Sequence, residues 1–270
     1  MKNDIIVVRG GGDVATGVIQ KLHRTGFRVL VLEIEKPTAI RRTVAVSSCI
    51  YTNEYKVEDI IAVKCDTELD IYLAWENNKV PVVVDPEGEF VNIFKPKYII
   101  DAIIAKKNID FDKFNAFGKI ALGPGFEAGK DADIVIETNR GHNLGRLIFK
   151  GFAAENTGSP GNISGRTLER VIYSEFEGKI KHIKKIGDIV TENETIATIN
   201  GKEVKSKLSG VLRGLIYDGF VVTKGLKIAD VDPRKEEIDN CFTISDKARA
   251  VGGNTLEAVL ILENRKKDRG

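Results

Sequence analysis

The chain has 270 residues, of which 42% are hydrophobic and 30% charged, as in a globular protein large enough for several domains. Its net charge of +2 predicts neither a nucleic-acid nor a membrane partner, and no apolar run approaches the roughly 18 residues of a membrane-spanning helix. Three cysteines without metal-ligand spacing predict structural thiols in a cytoplasmic protein and no metal site. Since Met1 stands just before a predicted strand, no signal peptide is expected.

A β–loop–α–β pattern comes first along the chain. Residues 4–9 and 27–33 are predicted buried parallel strands, and residues 13–24 form an amphipathic helix between them. The elements that continue this alternation are a strand at 57–65, a helix at 67–78 and strands at 80–85 and 98–101. The pattern predicts an α/β fold with a Rossmann-like parallel sheet over residues 1–115.

The loop after the first strand carries Gly10-x-Gly12-x-x-Ala15, the dinucleotide fingerprint that ends in alanine. Glu33 ends the second strand where a ribose-binding carboxylate would lie. Glycines and a helix N-terminus favour a pyrophosphate, whereas Asp13 either caps the helix or repels phosphate. A glycine turn used only for packing is the alternative. The candidate ligand-binding residues of this region are Gly10, Gly11, Gly12, Asp13, Glu33, Arg41 and Arg42.

Residues 116–170 form a glycine-rich central segment, in which the apolar runs 119–122 and 134–136 are predicted strands. Two arginines and a histidine follow between residues 137 and 156, and their donors suit an anion. The alternative is a surface loop without function. The candidate ligand-binding residues here are Gly123, Gly125, Thr138, Asn139, Arg140, Arg146, Asn156 and Thr157. The candidates for acid–base chemistry are Glu137, His142, Asp101 and Lys106.

Residues 172–199 and 204–231 align with each other at an offset of 32 residues. Each half has short β-branched strands and a glycine turn, so the two halves are expected to close against each other. Asn200-Gly201 between them predicts a tight hairpin. The repeat resembles the barrel-sandwich hybrid of biotinyl and lipoyl carrier domains, which predicts a small all-β module over residues 171–233. Lys202 lacks the flanking methionines of a modified carrier lysine, so we expect a solvated lysine in a structural or docking module.

Residues 234–270 are predicted to be a loop followed by a helical segment. Residues 247–251 and 255–262 have helical patterns, and Gly252-Gly253 between them predicts a break. The charged residues at 246–249 form either a capping and salt-bridge cluster or a cover over the central segment.

Several motifs along the chain match one family; they are Arg9-Gly-Gly-Gly-Asp13, Ala15-Thr-Gly17, Arg41-Arg-Thr43, Asp85-Pro86, Asp101-Ala102, Ala105-Lys106, Leu122-Gly-Pro-Gly-Phe126, Ala128-Gly129, Ile136-Glu-Thr-Asn-Arg-Gly-His-Asn-Leu-Gly-Arg146, Asn156-Thr-Gly158, Arg213-Gly214, Asp230-Val-Asp-Pro-Arg234 and Ser245-Asp-Lys-Ala-Arg249. On these residues the chain resembles the YqeB family, the accessory proteins of selenium-dependent molybdenum hydroxylases. The resemblance implies a role in the maturation of enzymes such as xanthine dehydrogenases. It also implies work on, or delivery of, a molybdopterin-type cofactor, without an agreed catalytic mechanism.

Three functions follow from these observations. The first is an accessory protein that matures a molybdenum hydroxylase and binds a phosphate-bearing ligand, such as a molybdopterin dinucleotide or another nucleotide. The second is an NAD(P)-dependent oxidoreductase, argued from the fingerprint and Glu33. The third is a non-catalytic scaffold or chaperone that docks the client hydroxylase. The sequence leaves open whether the protein catalyses a reaction.

Overall fold

A computed structural model describes residues 4–156, 158 and 165–267. The chain divides into two compact units. The sheet unit comprises Met1–Pro37, Ala45–Asn156 and Ile244–Gly270, and the small unit comprises Thr38–Val44 and Thr157–Thr243. The chain therefore enters the small unit twice, first with a short segment and then with a long one.

Nine strands of the described residues form the main sheet of the sheet unit, in the order β10-β9-β7-β6-β1-β2-β5-β4-β3. The strands of this unit are β1 (Ile5–Arg9), β2 (Arg28–Glu33), β3 (Glu54–Val57), β4 (Ile60–Cys65), β5 (Val80–Val84), β6 (Tyr98–Asp101), β7 (Gly118–Leu122), β8 (Glu127–Ala128), β9 (Ile134–Ile136), β10 (Leu147–Ile148) and β11 (Gly151–Phe152). Strands β8 and β11 form a separate antiparallel pair. The protein is therefore a mixed α/β protein with one large, mostly parallel sheet.

Neighbouring strands from β9 to β4 run parallel, and the edge strands β3 and β10 are antiparallel. Strand β1 lies between β2 and β6, so the strand order reverses there. Arg9 pairs in register with Asp101, which brings the carboxyl ends of β1 and β6 together. The central strands are apolar because both faces of a parallel sheet are covered.

Most strands predicted from apolar runs are confirmed, and one is divided. The segment 57–65 contains the last residue of β3, a turn at Glu58, whose φ is +51°, and the whole of β4. The left-handed residue at this point makes a hairpin between β3 and β4, where the sequence predicted a single strand. Runs 119–122 and 134–136 form β7 and β9, and both join the main sheet.

The helices are α1 (Asp13–Arg24), α2 (Cys49–Thr52), α3 (Glu68–Glu76), α4 (Glu89–Phe94) and α5 (Asp246–Lys267). Short 3₁₀ helices lie at Arg42–Val44, Val46–Ser48, Phe111–Lys113, Leu168–Arg170 and Ile238–Cys241. None of the helices in the described part of the chain is long and apolar enough to span a bilayer.

The predicted break at Gly252-Gly253 is wrong, because α5 is continuous through both residues. A Cβ added at Gly252 would overlap the carbonyl oxygen of Gly17 in α1 and lie 2.6 Å from its carbonyl carbon. The two helices therefore touch backbone to backbone at this crossing. Gly252 is needed for close packing and not as a helix stop.

The small unit consists of two four-stranded antiparallel sheets, ordered β12-β19-β17-β14 and β16-β15-β13-β18. Its strands are β12 (Val171–Tyr173), β13 (Gly178–His182), β14 (Ile189–Val190), β15 (Thr195–Ile199), β16 (Lys202–Lys205), β17 (Gly210–Leu215), β18 (Val221–Val222) and β19 (Lys227–Asp232). The predicted hairpin is confirmed: Asn200 and Gly201 have φ of +48° and +81° and join β15 to β16.

The sequence repeat has a counterpart in the hydrogen bonds of the small unit. The amide of Ser174 donates to Leu226 O at 2.8 Å, and the amide of Ser206 donates to Glu194 O at 2.9 Å. Ser206 lies 32 residues after Ser174, and Leu226 lies 32 residues after Glu194. The two bonds therefore join equivalent positions, but the first half supplies the donor in one bond and the acceptor in the other. The two halves therefore bond to each other reciprocally, around one shared apolar core.

Candidate functional site

The glycine turn, residues 10–12, lies at the carboxyl end of β1. Gly10 has a φ of +92°, and a Cβ there would lie 3.1 Å from Ile103 Cα. A Cβ on Gly11 would lie 3.0 Å from the amide nitrogen of Ser47. The positive φ favours glycine at position 10, and close neighbours favour a residue without a Cβ at both positions. Gly12 differs: no heavy atom of the described residues lies within 4 Å of an added Cβ, and its φ of −68° suits any residue.

Glu33 is held inside this turn. Its Oε2 accepts the Gly11 amide at 2.8 Å, and its Oε1 accepts the Ile34 amide at 2.8 Å. Burial raises the pKa of Glu33, and these two backbone hydrogen bonds partly oppose the rise. Both carboxylate oxygens therefore bind the local backbone, which stabilises the turn.

Arg9 and Asp101 form a buried ion pair beside the glycine turn, with Nη1 and Oδ2 at 2.7 Å. The Arg9 guanidinium also donates to Ile109 O at 3.1 Å and lies 4.7 Å from the ring centre of Phe114. Burial raises the pKa of Asp101, and the charge of Arg9 opposes that rise. Because the Asp101 carboxylate is paired with Arg9, it has a structural role and is not available as a general base.

A strained loop follows β6. Three of its non-glycine residues have positive φ: Ile104 at +56°, Lys106 at +65° and Asp110 at +50°. A β-branched residue in this conformation is strained, and such strain is concentrated at functional sites. A Cβ added at Gly125 would lie 2.5 Å from Lys107 Cα, so this loop packs against the turn after β7. The Lys106 side chain is exposed.

Glu137 organises the central loop, defined as residues 137–146. This buried carboxylate accepts the amide of Asn139 at 2.6 Å and the amide of Ala154 at 2.7 Å. Its backbone also bonds to Gly145 and Arg146, which closes the loop at its base. Both oxygens of Glu137 therefore hold the loop in place.

Two further predicted residues of this segment serve packing. Thr138 is buried, and its Oγ1 would lie 2.5 Å from a Cβ on Gly123, which itself has a φ of +78°. The glycine after β7 therefore makes room for the Thr138 hydroxyl. Asn139 is exposed at the surface of the loop.

The arginine and histidine side chains of the central loop are exposed. Arg140 pairs with Asp246 at the start of α5, through N–O distances of 3.0 and 3.2 Å. The side chains of His142 and Arg146 make no hydrogen bond or ion pair to another described residue. These two side chains are available to an anion from outside.

Lys247, at the start of α5, lies near charged groups of both α1 and the central loop. Burial lowers the pKa of Lys247 below its ordinary value. The negative charges of Asp13 and Glu137 oppose this change, whereas Arg140 adds to it. Asp13 begins α1 and Arg140 belongs to the central loop, so one amine is near both. The sequence placed Lys247 only in the C-terminal helix, and its sole signal was the charged run at 246–249.

Arg41, Arg42, Asn156, Thr157 and Lys202 are the remaining residues considered from the sequence. Arg41 and Arg42 belong to the small unit, where Arg41 Nη2 donates to Asn240 O at 2.9 Å and Arg42 Nε donates to Leu215 O at 3.0 Å. These bonds give both arginines a structural role in that unit. Asn156 is exposed, and Thr157 lies outside the described residues. The Lys202 ammonium lies 4.7 Å from the ring centre of Phe176.

Across the described ranges, no group of three or more histidine, cysteine, aspartate or glutamate side chains is arranged to bind a metal ion.

Comparison with known proteins finds no matching family model. The chain is 46% identical over 261 residues to a protein of Escherichia coli K12 described as "Uncharacterized protein YqeB". This match supports the YqeB family. It covers 96% of the chain and 48% of the E. coli protein, so the chain spans about half the length of that relative.

Comparison with solved structures finds distant likenesses. The ectoine utilization protein EutE (DoeB) of Ruegeria pomeroyi, in its product-bound form, is 10% identical with a TM-score of 0.24, covering 78% of this chain and 61% of that chain. A succinylglutamate desuccinylase/aspartoacylase of Rhodobacter sphaeroides is 13% identical with a TM-score of 0.27, covering 85% and 86%. Both scores are below 0.5, so these likenesses carry no argument about this chain.

Proposed function

We propose that this protein is an accessory protein for the maturation of a selenium-dependent molybdenum hydroxylase. We further propose that it binds a phosphate-bearing ligand, a nucleotide or a molybdopterin-type cofactor. The maturation role is supported by the family motifs, with the E. coli match supporting the family alone. The ligand is supported by the geometry of the glycine turn and the central loop.

Gly12 is the observation that carries the ligand proposal. Neither its φ nor the packing of the described residues requires glycine there, whereas an incoming ligand does require a bare backbone. Gly12 also precedes α1, whose N-terminal amides and positive dipole favour an anion. His142 and Arg146 supply uncommitted donors in the central loop.

The strand order supports a Rossmann-like sheet. It reverses between β1 and β6, and ligands of open parallel sheets bind beyond the carboxyl ends of the strands at such a point. The reciprocal bonding of the two halves of the small unit supports a barrel-sandwich hybrid. In this proposal the small unit is the structural or docking module.

The alternative of an NAD(P)-dependent oxidoreductase has less support. A ribose-binding acid needs an open carboxylate, but both oxygens of Glu33 accept backbone amides in the same turn. A fluorescence titration with NADH decides between the two, since an oxidoreductase should bind it at millimolar concentration. A scaffold without ligand is the remaining alternative, and ligand binding by the purified protein argues against it.

The test uses pyrophosphate as the probe, in isothermal titration of Arg140→Ala and Arg146→Ala. Both variants should bind pyrophosphate more weakly than the parent. Thermal stability should change little, because an exposed pair such as Arg140–Asp246 contributes at most about 1 kcal/mol. Arg265→Ala is the matched control, since this exposed arginine lies near the other end of α5. Equal affinity in the parent and both loop variants contradicts the proposal.

A further inference from the structure

The crossing of α1 and α5 fixes the position of Lys247. A Cβ added at Gly17 would lie 2.9 Å from the Cβ of Ala248 and would overlap the Ala248 carbonyl oxygen. The first turn of α5 therefore lies directly against α1. Asp246, on the other side of Lys247, pairs with Arg140 of the central loop. Lys247 is thus held between the start of α1 and the central loop by contacts of both neighbouring residues.

Each acid that faces Lys247 also binds another group. They come from α1 (Asp13), from the central loop (Glu137) and from α5 itself (Asp246), and Arg140 is the other cation. Asp13 accepts the amide of Val14 at 2.9 Å, Glu137 accepts two amides, and Asp246 pairs with Arg140.

The Lys247 ammonium itself has no hydrogen bond or ion pair to any residue that the structure describes. An ammonium has three N–H donors, and leaving them unpaired in a partly buried position is unfavourable. A ligand that accepts hydrogen bonds from this ammonium would remove the unfavourable free energy. Asp13, one of the charges that act on Lys247, directly follows Gly12, so such acceptors would lie near the bare backbone of Gly12.

We propose that Lys247 anchors the diphosphate group of the ligand, with Gly12 giving room for it and Arg146 completing the cationic side. This inference rests on the proposed function, from which it takes the phosphate-bearing ligand. Lys247 donates to phosphate oxygens, as a compact charge suited to a group with several equivalent acceptors.

Binding is therefore linked to a proton. Burial holds the pKa of Lys247 low in the free protein, and an adjacent anion favours its charged form. Affinity for pyrophosphate should fall as the pH rises through this lowered pKa, below the range in which an ordinary lysine titrates. In a Lys247→Arg variant this fall should disappear, because arginine remains protonated. Comparing variants at each pH cancels the titration of pyrophosphate itself.

The experiment is a pyrophosphate titration of the full chain and four variants over a range of pH. Lys247→Met should bind roughly ten- to a hundredfold more weakly near pH 7, as expected for the loss of a charged hydrogen bond. Lys247→Arg should keep most of the affinity. Lys56→Met removes an exposed lysine on β3 and should bind like the parent. Arg146→Ala shows whether the central loop contributes independently.

The outcomes separate the two proposals. If the parent binds pyrophosphate and Lys247→Met binds equally well, the role of Lys247 is overturned and the proposed function stands. If the parent itself does not bind, both fail. If Lys247→Met unfolds, labelling of the parent by an amine-reactive reagent replaces it. Pyrophosphate should then protect Lys247 and leave Lys56 unchanged, and equal labelling of Lys247 with and without pyrophosphate overturns the inference.

Discussion

Two adjacent glycines in α5 allow a test of how closely α1 and α5 pack, by comparing the stability of two variants. Gly252 and Gly253 are both interior helical residues, and replacing either by alanine removes the same backbone freedom. Their surroundings differ. A Cβ on Gly252 would lie 2.6 Å from the carbonyl carbon of Gly17, whereas no atom of the described residues lies within 4 Å of a Cβ on Gly253.

The expected magnitudes follow from this difference. Gly253→Ala should stabilise the sheet unit by about 0.5–1 kcal/mol through helix propensity alone. Gly252→Ala gains the same term, but α1 and α5 must move apart, and such overpacking costs about 1–3 kcal/mol. The propensity term cancels between the variants. Gly252→Ala should therefore be about 1–3 kcal/mol less stable than Gly253→Ala.

Urea unfolding followed by far-UV circular dichroism measures this difference, provided that the denaturant slopes of the two variants agree. Gly17→Ala should resemble Gly252→Ala, because its Cβ would meet Ala248 at the same crossing. A Gly252→Ala variant that is as stable as Gly253→Ala would refute the backbone-to-backbone contact. It would also mean that the crossing of α1 and α5 does not hold Lys247 near the start of α1.

Two further predictions concern buried charges beside the glycine turn. Arg9→Met should destabilise the fold by about 3–5 kcal/mol, because it leaves Asp101 buried without its partner, and the double variant Arg9→Met/Asp101→Leu should recover part of this in chemical unfolding. For Glu33, burial raises the folded-state pKa, so its contribution to stability is complete below the unfolded pKa of about 4.3 and is lost as the pH rises through the folded value. The unfolding free energy of the parent should therefore fall relative to Glu33→Gln as the pH rises from about 4, and a constant difference would contradict this assignment.

Much of the sheet could be predicted because its strands are locally distinctive. Strands β1, β5 and β6 are apolar runs that end at turn or charged residues, as expected when both faces are covered. The sequence also indicated β7 and β9, but not that they extend the same sheet. Pairing of β6 with β7, and of β7 with β9, depends on contacts between distant residues, which local periodicity does not record.

Glycines were the least reliable local signals, because the residue that requires a glycine at a given position is often far away in the sequence. Gly252-Gly253 has the pattern of a helix break, yet the partner that requires Gly252 is Gly17, far away in the sequence. The fingerprint glycines also have different roles. Gly10 and Gly11 accommodate neighbouring loops, whereas no atom of the described residues lies within 4 Å of a Cβ on Gly12. One motif thus contains both packing residues and a candidate ligand contact, and only the fold separates them.

The same separation applies to the charged candidates. Residue type alone makes Asp101, Glu137 and Arg41 as suitable for binding or catalysis as any other, but each is buried and bonded to its own protein. His142, Arg146 and Lys247 have donors that no described residue accepts through a side-chain contact. A donor that is not already bonded can bind a ligand without first breaking an existing bond. Ligand specificity should therefore depend more on these three side chains than on the acids that the sequence made prominent.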